Sequence, residues 1–267
     1  MRHPFLDHPA PLVYAHRGGG AEAPENSMTA FAHAVAVGFV YLETDVHLSA
    51  DGVLMALHDD RLERVSNGRG RVSDYTASEL AGLRLRDVEG SLTTEPIATL
   101  EELVTTWPQA RWNIDVKDDL GVEPLGDLLE RLKLLDRCCI GAFSGRRLRR
   151  LRQRFGSRLC TSMGPGEVTW LWAEGFGAPH RRPAGLIAQV PLRLTLTRRI
   201  AGRALSVPVV DQRFLTACNR LAIPVHVWTV NDATEMDRLL DCGVQGFMTD
   251  KPRLAAAVLR ARGLWPD

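Results

Sequence analysis

Lysine is nearly missing from this chain. Of 33 Lys and Arg residues only Lys117, Lys133 and Lys251 are lysine. A coding bias would explain the shortage, but arginine's planar fork cannot replace a compact ammonium at a tight site, so each surviving lysine marks a place to inspect. Net charge is scarce too: 33 basic side chains against 32 acidic ones leave a formal +1. That excludes a protein whose overall field recruits nucleic acid or an anionic membrane, and any anion binding must be local. The five cysteines, Cys138, Cys139, Cys160, Cys218 and Cys242, form no CxxC pair and no metal-type Cys/His cluster. They read as reduced, mostly buried thiols rather than a disulfide framework. No apolar run reaches the length of a membrane span, and MRHPFLDHPAPLVY at the start lacks the apolar stretch of a secretory signal. The expectation is a cytoplasmic protein.

What is present is enough for a full core. The chain has 267 residues, 45% of them hydrophobic, which suits one large α/β domain. From residue 99 onward, β-branched runs alternate with segments of helical period. Strands are expected at Val13 to His16, Tyr41 to His47, Arg111 to Val116, Cys138 to Phe143, Arg158 to Ser162, Gly185 to Val190, Val225 to Val230 and Gln245 to Met248. Helices are expected near Leu100 to Thr106, Glu123 to Leu135, Arg146 to Phe155, Glu167 to Glu174, Gln212 to Leu221 and Glu235 to Cys242. Eight βα units in series predict a closed TIM (β/α)8 barrel, and the lack of a dinucleotide-type GxGxxG weakens the rival open, doubly wound sheet. Residues 60–98, rich in charge, Gly, Ser and Thr, interrupt the rhythm and read as a small insertion on the loop face of a single domain.

The polar residues inside these strands carry the chemistry. In YLETDVHL, Glu43, Asp45 and His47 fall at period two, so a strand puts them on one face, successive ones about 6 to 7 Å apart. Carboxylates facing a barrel interior are costly unless compensated, either by salt bridges or by a hard divalent cation that takes oxygen ligands. His47 reads as a neighbour rather than a ligand. WNIDVK repeats the device: Asn113, Asp115 and Lys117 share a face, while Ile114 and Val116 point to the opposite layer. An ammonium beside a carboxylate at a strand's end suits a phosphate site, although a plain Asp115–Lys117 pair has the same pattern. His16 and His58 close early strands and are suited to proton transfer near neutral pH. In AHRGGGAEAPEN, three glycines follow His16 and Arg17 at once, so the chain can turn there. The expectation is that His16 faces the barrel mouth, that Arg17 bends over its rim, and that the turn returns Glu25 and Asn26 toward the same place.

Taken in order, His16-Arg17-Gly18, Glu25-Asn26-Ser27, Glu43-Thr44-Asp45-Val46, Asp51-Gly52, His58-Asp59, Asp115-Val116-Lys117, VWTVN and GFMTDKP resemble the motifs of the glycerophosphodiester phosphodiesterase family. The segments RLERVSNGRGRVSDYTASELAGL and TLEELV are similar to that family's insertion and to the stretch leading into its next barrel strand. The resemblance implies a TIM barrel that hydrolyses glycerophosphodiesters to sn-glycerol 3-phosphate and an alcohol with a divalent cation, Mg2+ or Ca2+, with Mn2+ a further candidate. It implies metal ligation by Glu43, Asp45 and Asp115, with Glu25 beside them. It further implies acid/base roles for His16 and His58, phosphate contacts for Arg17 and Lys117, and a glycerol-pocket wall at Trp228. Asp115 stands where the family more usually has glutamate, withdrawing that carboxylate by one methylene. The expected partner is a small-molecule glycerophosphodiester, with no nucleic acid and no membrane span; the oligomeric state is unknown.

Two rivals stand beside this reading. One is a phospholipase D-like enzyme of the sphingomyelinase D type acting on lysophospholipids, against which the family-like insertion argues. The other is a catalytically silent binding barrel, against which His16, His58, Glu43 and Asp45 argue. Trp170, Trp172 and Phe176 could line a choline-like pocket by cation–π contact or pack as helix core.

Overall fold

The computed structural model describes residues 2–174, 179, 181–194 and 208–265, and the backbone alone over 195–200 and 203–207. Eight strands alternate with eight helices among these residues. The strands are β1 (Leu12–His16), β2 (Tyr41–Leu48), β3 (Arg111–Val116), β4 (Cys138–Gly141), β5 (Cys160–Thr161), β6 (Ala188–Pro191), β7 (Val225–Trp228) and β8 (Gly246–Thr249). The helices that follow them in turn are α1 (Met28–Val37), α2 (Leu100–Thr106), α3 (Val122–Arg131), α4 (Gly145–Phe155), α5 (Pro165–Glu174), α6 (Gln212–Arg220), α7 (Ala233–Asp241) and α8 (Pro252–Ala261).

Apart from β5 and β6, each strand pairs in parallel with its neighbours in chain order, and β1 pairs with β8. A parallel bridge between Ser162 and Ile187, with the Met163 N–H donating to the Ile187 carbonyl at 2.8 Å, joins the β5 end to the segment entering β6. The sheet is therefore a closed (β/α)8 barrel, as the strand series predicts. Helix starts carry their own signals: Ser27, Asp211 and Asp232 accept N-terminal backbone N–H groups, and Thr99 with Glu102 forms a reciprocal capping box.

Alternation along the strands divides the core in two. Outward residues such as Val13, Leu42, Val46, Trp112, Ile114, Val116 and Phe247 pack against the helices. Inward residues at the N-terminal end, Leu12, Tyr14, Tyr41, Cys139, Cys160 and Ile187, join Phe5 and Leu6 in an apolar plug. Higher in the barrel the inward positions become polar, so the plug is the floor of whatever the mouth holds. Four cysteines are buried, Cys242 is exposed, and all five are free thiols.

Three features add to the eight-unit series. Leu54–Ala56, just before His58, forms a short strand antiparallel to β2. Residues 60–98, read as an insertion, have structure of their own. They hold the helix Ala77–Ala81 and the antiparallel strands Arg84–Arg86 and Leu92–Pro96, over a small core of Met55, Leu57, Leu62, Val65, Val72, Leu80, Leu85 and Ile97. Where the sequence suggested no element, the strands Arg193–Ile200 and Arg203–Pro208 pair antiparallel between β6 and α6. Most arginines of the basic helix α4 are engaged in ion pairs. Arg147 pairs with Asp119, Arg150 with Glu123, Arg152 with Glu167, and Arg154 with Asp127 and Glu130.

One buried histidine sets a pH limit on this fold. His226 on β7 is fully buried, its Nδ1 3.0 Å from the Tyr14 hydroxyl, and its ring fills the space that a Cβ at Gly246 would enter, at 2.8 Å. Burial, with a smaller contribution from Arg2, pulls its pKa down from 6.5 to about 3. The unfolded chain thus binds a proton below pH 6.5 that the folded chain refuses. Stability from this residue is present above 6.5 and is lost as pH falls toward 3, by about 1.4 kcal/mol per pH unit. We expect denaturant unfolding between pH 4.5 and 7 to show this slope in the wild type and lose it in His226→Gln; equal slopes would assign the acid lability elsewhere.

Candidate active site

The polar inward residues meet because period two along each strand combines with the parallel register between strands. Across β1, β2 and β3, His16 pairs with Glu43, Glu43 with Asn113, and Asp45 with Asp115. Neighbouring parallel strands lie about 4.8 Å apart, so three carboxylates crowd one end of the barrel. A cavity of about 700 Å3 opens there, lined among others by His16, Arg17, Glu43, Asp45, His58, Asp115, Lys117 and Trp228.

Arg17 answers the question its position raises. Alternation alone would send it away from His16, but its φ of 53° lies in the left-handed region, and Gly18 and Gly19 follow at 79° and 102°. The reversal thus begins at the arginine itself, one residue earlier than the glycines imply. Gly18 also has no room for a Cβ, which would sit 2.8 Å from Ala30 on α1. The Arg17 side chain consequently turns into the mouth, with Nε 3.0 Å from Asp45 Oδ2 and an Nη donating to Glu25 Oε1 at 3.2 Å. Its backbone N–H donates to Glu43 Oε2 at 3.1 Å. Asn26, the far end of the turn, goes elsewhere: its Oδ1 accepts the Thr44 hydroxyl at 2.8 Å on the other face of β2.

Charge compensation is tight. Lys117 Nζ lies 2.7 Å from Asp45 Oδ1 and 2.7 Å from Asp115 Oδ2. Burial raises the Asp45 pKa, yet the Lys117 ammonium and then the Arg17 guanidinium hold it below the usual carboxylate range. Burial likewise lowers Lys117, and Asp45 and Asp115 more than offset it, so its pKa is raised. Glu43 fares differently: burial and then the charge of Asp45 push its carboxyl up to about 7. Salt bridges are therefore the compensation on display, but they leave a remainder. Asp45 Oδ2 and Asp115 Oδ1 are buried without a hydrogen bond, the Arg17 contact being too poorly aligned to supply one. Buried carboxylate oxygens short of partners, beside a glutamate raised by its acidic neighbour, fit a hard divalent cation held by Glu43, Asp45 and Asp115. Among the described residues no group of three such side chains is already closed around a cation position, because Lys117 stands between two of them. Glu25 is not with the cavity-lining carboxylates. Arg64 grips both its oxygens, at 2.7 and 2.8 Å, and Arg17 takes one; its visible task is to hold Arg17.

Each histidine has an aspartate behind it. His16 Nδ1 lies 2.6 Å from Asp250 Oδ1, and Asp250 Oδ2 accepts the Asn231 amide at 2.7 Å. His58 Nδ1 lies 2.6 Å from Asp59 Oδ1, and Asp59 Oδ2 accepts Arg64 Nε at 2.5 Å. This arrangement fixes each ring and turns Nε2 away from its aspartate. Burial would lower the His16 pKa, but Glu43 and the bond to Asp250 outweigh it and raise it. The hydrogen bond from Arg64 first of all takes Asp59 down to about 2. His47 accompanies the site without lining it, with Nε2 3.1 Å from the His58 carbonyl and Nδ1 3.6 Å from Asp118.

Four participants were missed from the sequence. Asp59 adjoins His58, and Asp250 and Asn231 lie in quoted motifs, but nothing in their spacing ties them to a histidine. Arg64 sits in the insertion. Of the aromatic stretch, Trp172 lines the cavity, Trp170 is exposed with Nε1 donating to the Pro179 carbonyl, and Phe176 lies outside the described residues.

Comparisons with known proteins identify the family and the fold. The model of the glycerophosphoryl diester phosphodiesterase family matches residues 16–163 and 184–254. A probable glycerophosphodiester phosphodiesterase 2 of Mycobacterium tuberculosis is 36% identical over 263 residues, 98% of this chain and 95% of that one. The crystal structure of the glycerophosphoryl diester phosphodiesterase domain of another Mycobacterium tuberculosis protein superposes with a TM-score of 0.79 at 20% identity, covering 93% of this chain and 98% of that one. An Oleispira antarctica phosphodiesterase, solved with its product sn-glycerol-3-phosphate, gives 0.74 at 20% identity over 94% and 97% of the two chains.

Lys117→Met should expose the charge balance directly. Removing one partner of a buried ionic cluster leaves carboxylates uncompensated, a loss of about 3 kcal/mol in denaturant unfolding with a chelator present. Saturating Mg2+ or Ca2+ should then recover stability in the variant by more than it adds to the wild type. A variant indifferent to divalent ions would show that these carboxylates do not form a cation site.

Proposed function

The chain belongs to the glycerophosphoryl diester phosphodiesterase family, and from that premise we propose that it hydrolyses glycerophosphodiesters to sn-glycerol 3-phosphate and an alcohol, with His16 and His58 as the general acid/base pair. It is an enzyme, a phosphoric diester hydrolase by the family it belongs to. The observation that carries the mechanistic reading is the pairing of both histidines, Nδ1 to carboxylate at 2.6 Å, around one cavity that also presents Arg17 and Lys117.

Arg17 and Lys117 are the phosphate contacts. Both are cations at the cavity wall, and their charge offsets what builds on the nonbridging oxygens during displacement. One histidine takes a proton from the attacking hydroxyl as the oxygen–phosphorus bond forms; the attacker is water, or the substrate's own glycerol hydroxyl, in which case the resulting cyclic phosphate is opened by water in a second step that breaks one ring oxygen–phosphorus bond. The other gives a proton to the departing alkoxide as its bond to phosphorus breaks. Asp250 and Asp59 hold the two rings and stabilise them when charged. A divalent cation, when bound by Glu43, Asp45 and Asp115, supplies Lewis-acid polarisation of the phosphate. Trp228, edge-on to Phe143 with ring centroids 5.6 Å apart, forms the wall offered to the glycerol.

We read the chain as one barrel domain carrying 60–98 as its insertion, and we place it in the cytoplasm, where free thiols stay reduced. No helix among the described residues is long and apolar enough to cross a membrane.

His16→Asn and His58→Asn should each lower kcat on glycerophosphocholine by about 100-fold or more with an unchanged circular dichroism spectrum. Turnover close to wild type would remove that residue from the chemistry. A second measurement addresses the cation: glycerol 3-phosphate release, followed by a coupled assay, should stop after exhaustive chelation and return with Mg2+, Ca2+ or Mn2+. Full activity in protein shown by elemental analysis to be metal-free would end the cation reading.

A further inference from the structure

The two histidine–aspartate pairs are alike at the ring and unlike behind it. Asp250, which holds His16, has its second oxygen on the neutral amide of Asn231, whose Oδ1 accepts the Asp250 backbone N–H at 2.8 Å. That brace belongs to the last loops of the barrel. Asp59, which holds His58, has its second oxygen on Arg64 Nε. This brace is a cation, and it comes from the insertion. Arg64 stands between Leu62 and Val65, both buried in the insertion's own core. The Ser66 N–H donates to the Leu62 carbonyl at 3.0 Å and the Arg86 N–H to the Val65 carbonyl at 2.8 Å, so the turn that presents Arg64 is itself held.

While Nε takes Asp59, the two Nη atoms take both oxygens of Glu25, which also accepts from Arg17. One planar fork thus touches the aspartate behind a histidine and the glutamate behind an arginine. A surface salt bridge acting on stability alone is the competing account. The Arg64 side chain is 49% exposed, however, and solvent screens ion pairs at that exposure. Orientation is the larger effect. His58 is 37% exposed and sits on a loop, so a carboxylate that lost its second anchor would turn and take the ring with it.

We infer that Arg64 is a positioning residue for the reaction, setting His58 through Asp59 and Arg17 through Glu25. This rests on the phosphodiesterase reading and adds that the insertion supplies part of the catalytic geometry. Misplacing a reacting group by about an ångström costs on the order of 100-fold in rate. Loss of Arg64 also leaves Glu25 to Arg17 alone, which draws that guanidinium from the phosphate. Lysine is a poor substitute, because a point charge lacks the fork that bonds one carboxylate at two atoms and a second carboxylate at a third.

The rate of glycerol 3-phosphate release from glycerophosphocholine, with the divalent cation saturating, gives kcat and KM for each variant, and urea unfolding gives its folded fraction. Arg64→Gln should lower kcat about 10- to 100-fold and raise KM severalfold, and Arg64→Lys should stay within about threefold of Arg64→Gln. Two double-mutant cycles separate positioning from bulk stability. In an Asp59→Ala background Arg64→Gln should change kcat by less than about twofold, and in a Glu25→Gln background it should change KM by less than about twofold. Arg64→Lys runs the same cycles should Arg64→Gln fail to fold. Wild-type constants in Arg64→Gln, full recovery in Arg64→Lys, or losses that add in both backgrounds overturn this inference and leave the proposed function standing. A wild type that hydrolyses no glycerophosphodiester overturns both.

Discussion

Negative charge buried at the mouth of a closed barrel must be answered by positive charge within a few ångströms, and the site is arranged around that demand. Glu43, Asp45 and Asp115 are inward because strand alternation leaves them no other face, and adjacent because the parallel register aligns Asp45 with Asp115. Asp45 is 2% exposed. A carboxylate so placed is tolerable only beside a cation. Lys117 meets two carboxylates at once, which a compact ammonium can do. Arg17 reaches Asp45 only through a left-handed backbone at its own position. The cost of that conformation and the demand of the buried acids are two sides of one arrangement.

From that center the polar network runs outward along two arms. One passes from His16 through Asp250 to Asn231, tying β1 to the final loops of the barrel. The other passes from His58 through Asp59 and Arg64 to Glu25, and returns through Arg17 to Asp45. The second arm explains why an insertion with its own small core belongs to the site. Arg64, half-exposed on the insertion, braces both a histidine's aspartate and the glutamate that holds Arg17. The insertion is thereby a support for the charged side of the cavity, whereas Val168 and Trp172 of α5, with Leu194 and Val209, line the other side. His16, His58, Arg17 and Lys117 lie on one side of the cavity, and Phe143, Met163 and Trp172 on the other.

Much of this was legible in the chain. Eight strand segments in series predicted the barrel, because hydrophobic period and turn residues are local signals. Glu43 with Asp45, and Asp115 with Lys117, could be placed on shared faces, because period two is a property of any strand. The scarcity of lysine singled out Lys117, which proved to bridge two strands. The antiparallel pairing of Arg193–Ile200 with Arg203–Pro208 and that of Leu54–Ala56 with β2 were not legible, since antiparallel excursions from a parallel barrel depend on partners that the local pattern does not name.

By itself, then, the sequence determined which side chains face inward along each strand, that the strands number enough to close, and which ionisable groups stand at their ends. Tertiary structure decided which of them meet. Asp250 lies 234 residues from His16 yet touches its ring, because β8 closes against β1. Arg64 reaches Glu25 across 39 residues because the insertion folds back over the mouth. Glu25 was drawn to the arginines rather than to the carboxylates of β2 and β3, and Asn26 to the outer face of β2. Those choices depend on distance, and distance between remote residues is set by closure of the barrel and by the need to pair every buried charge.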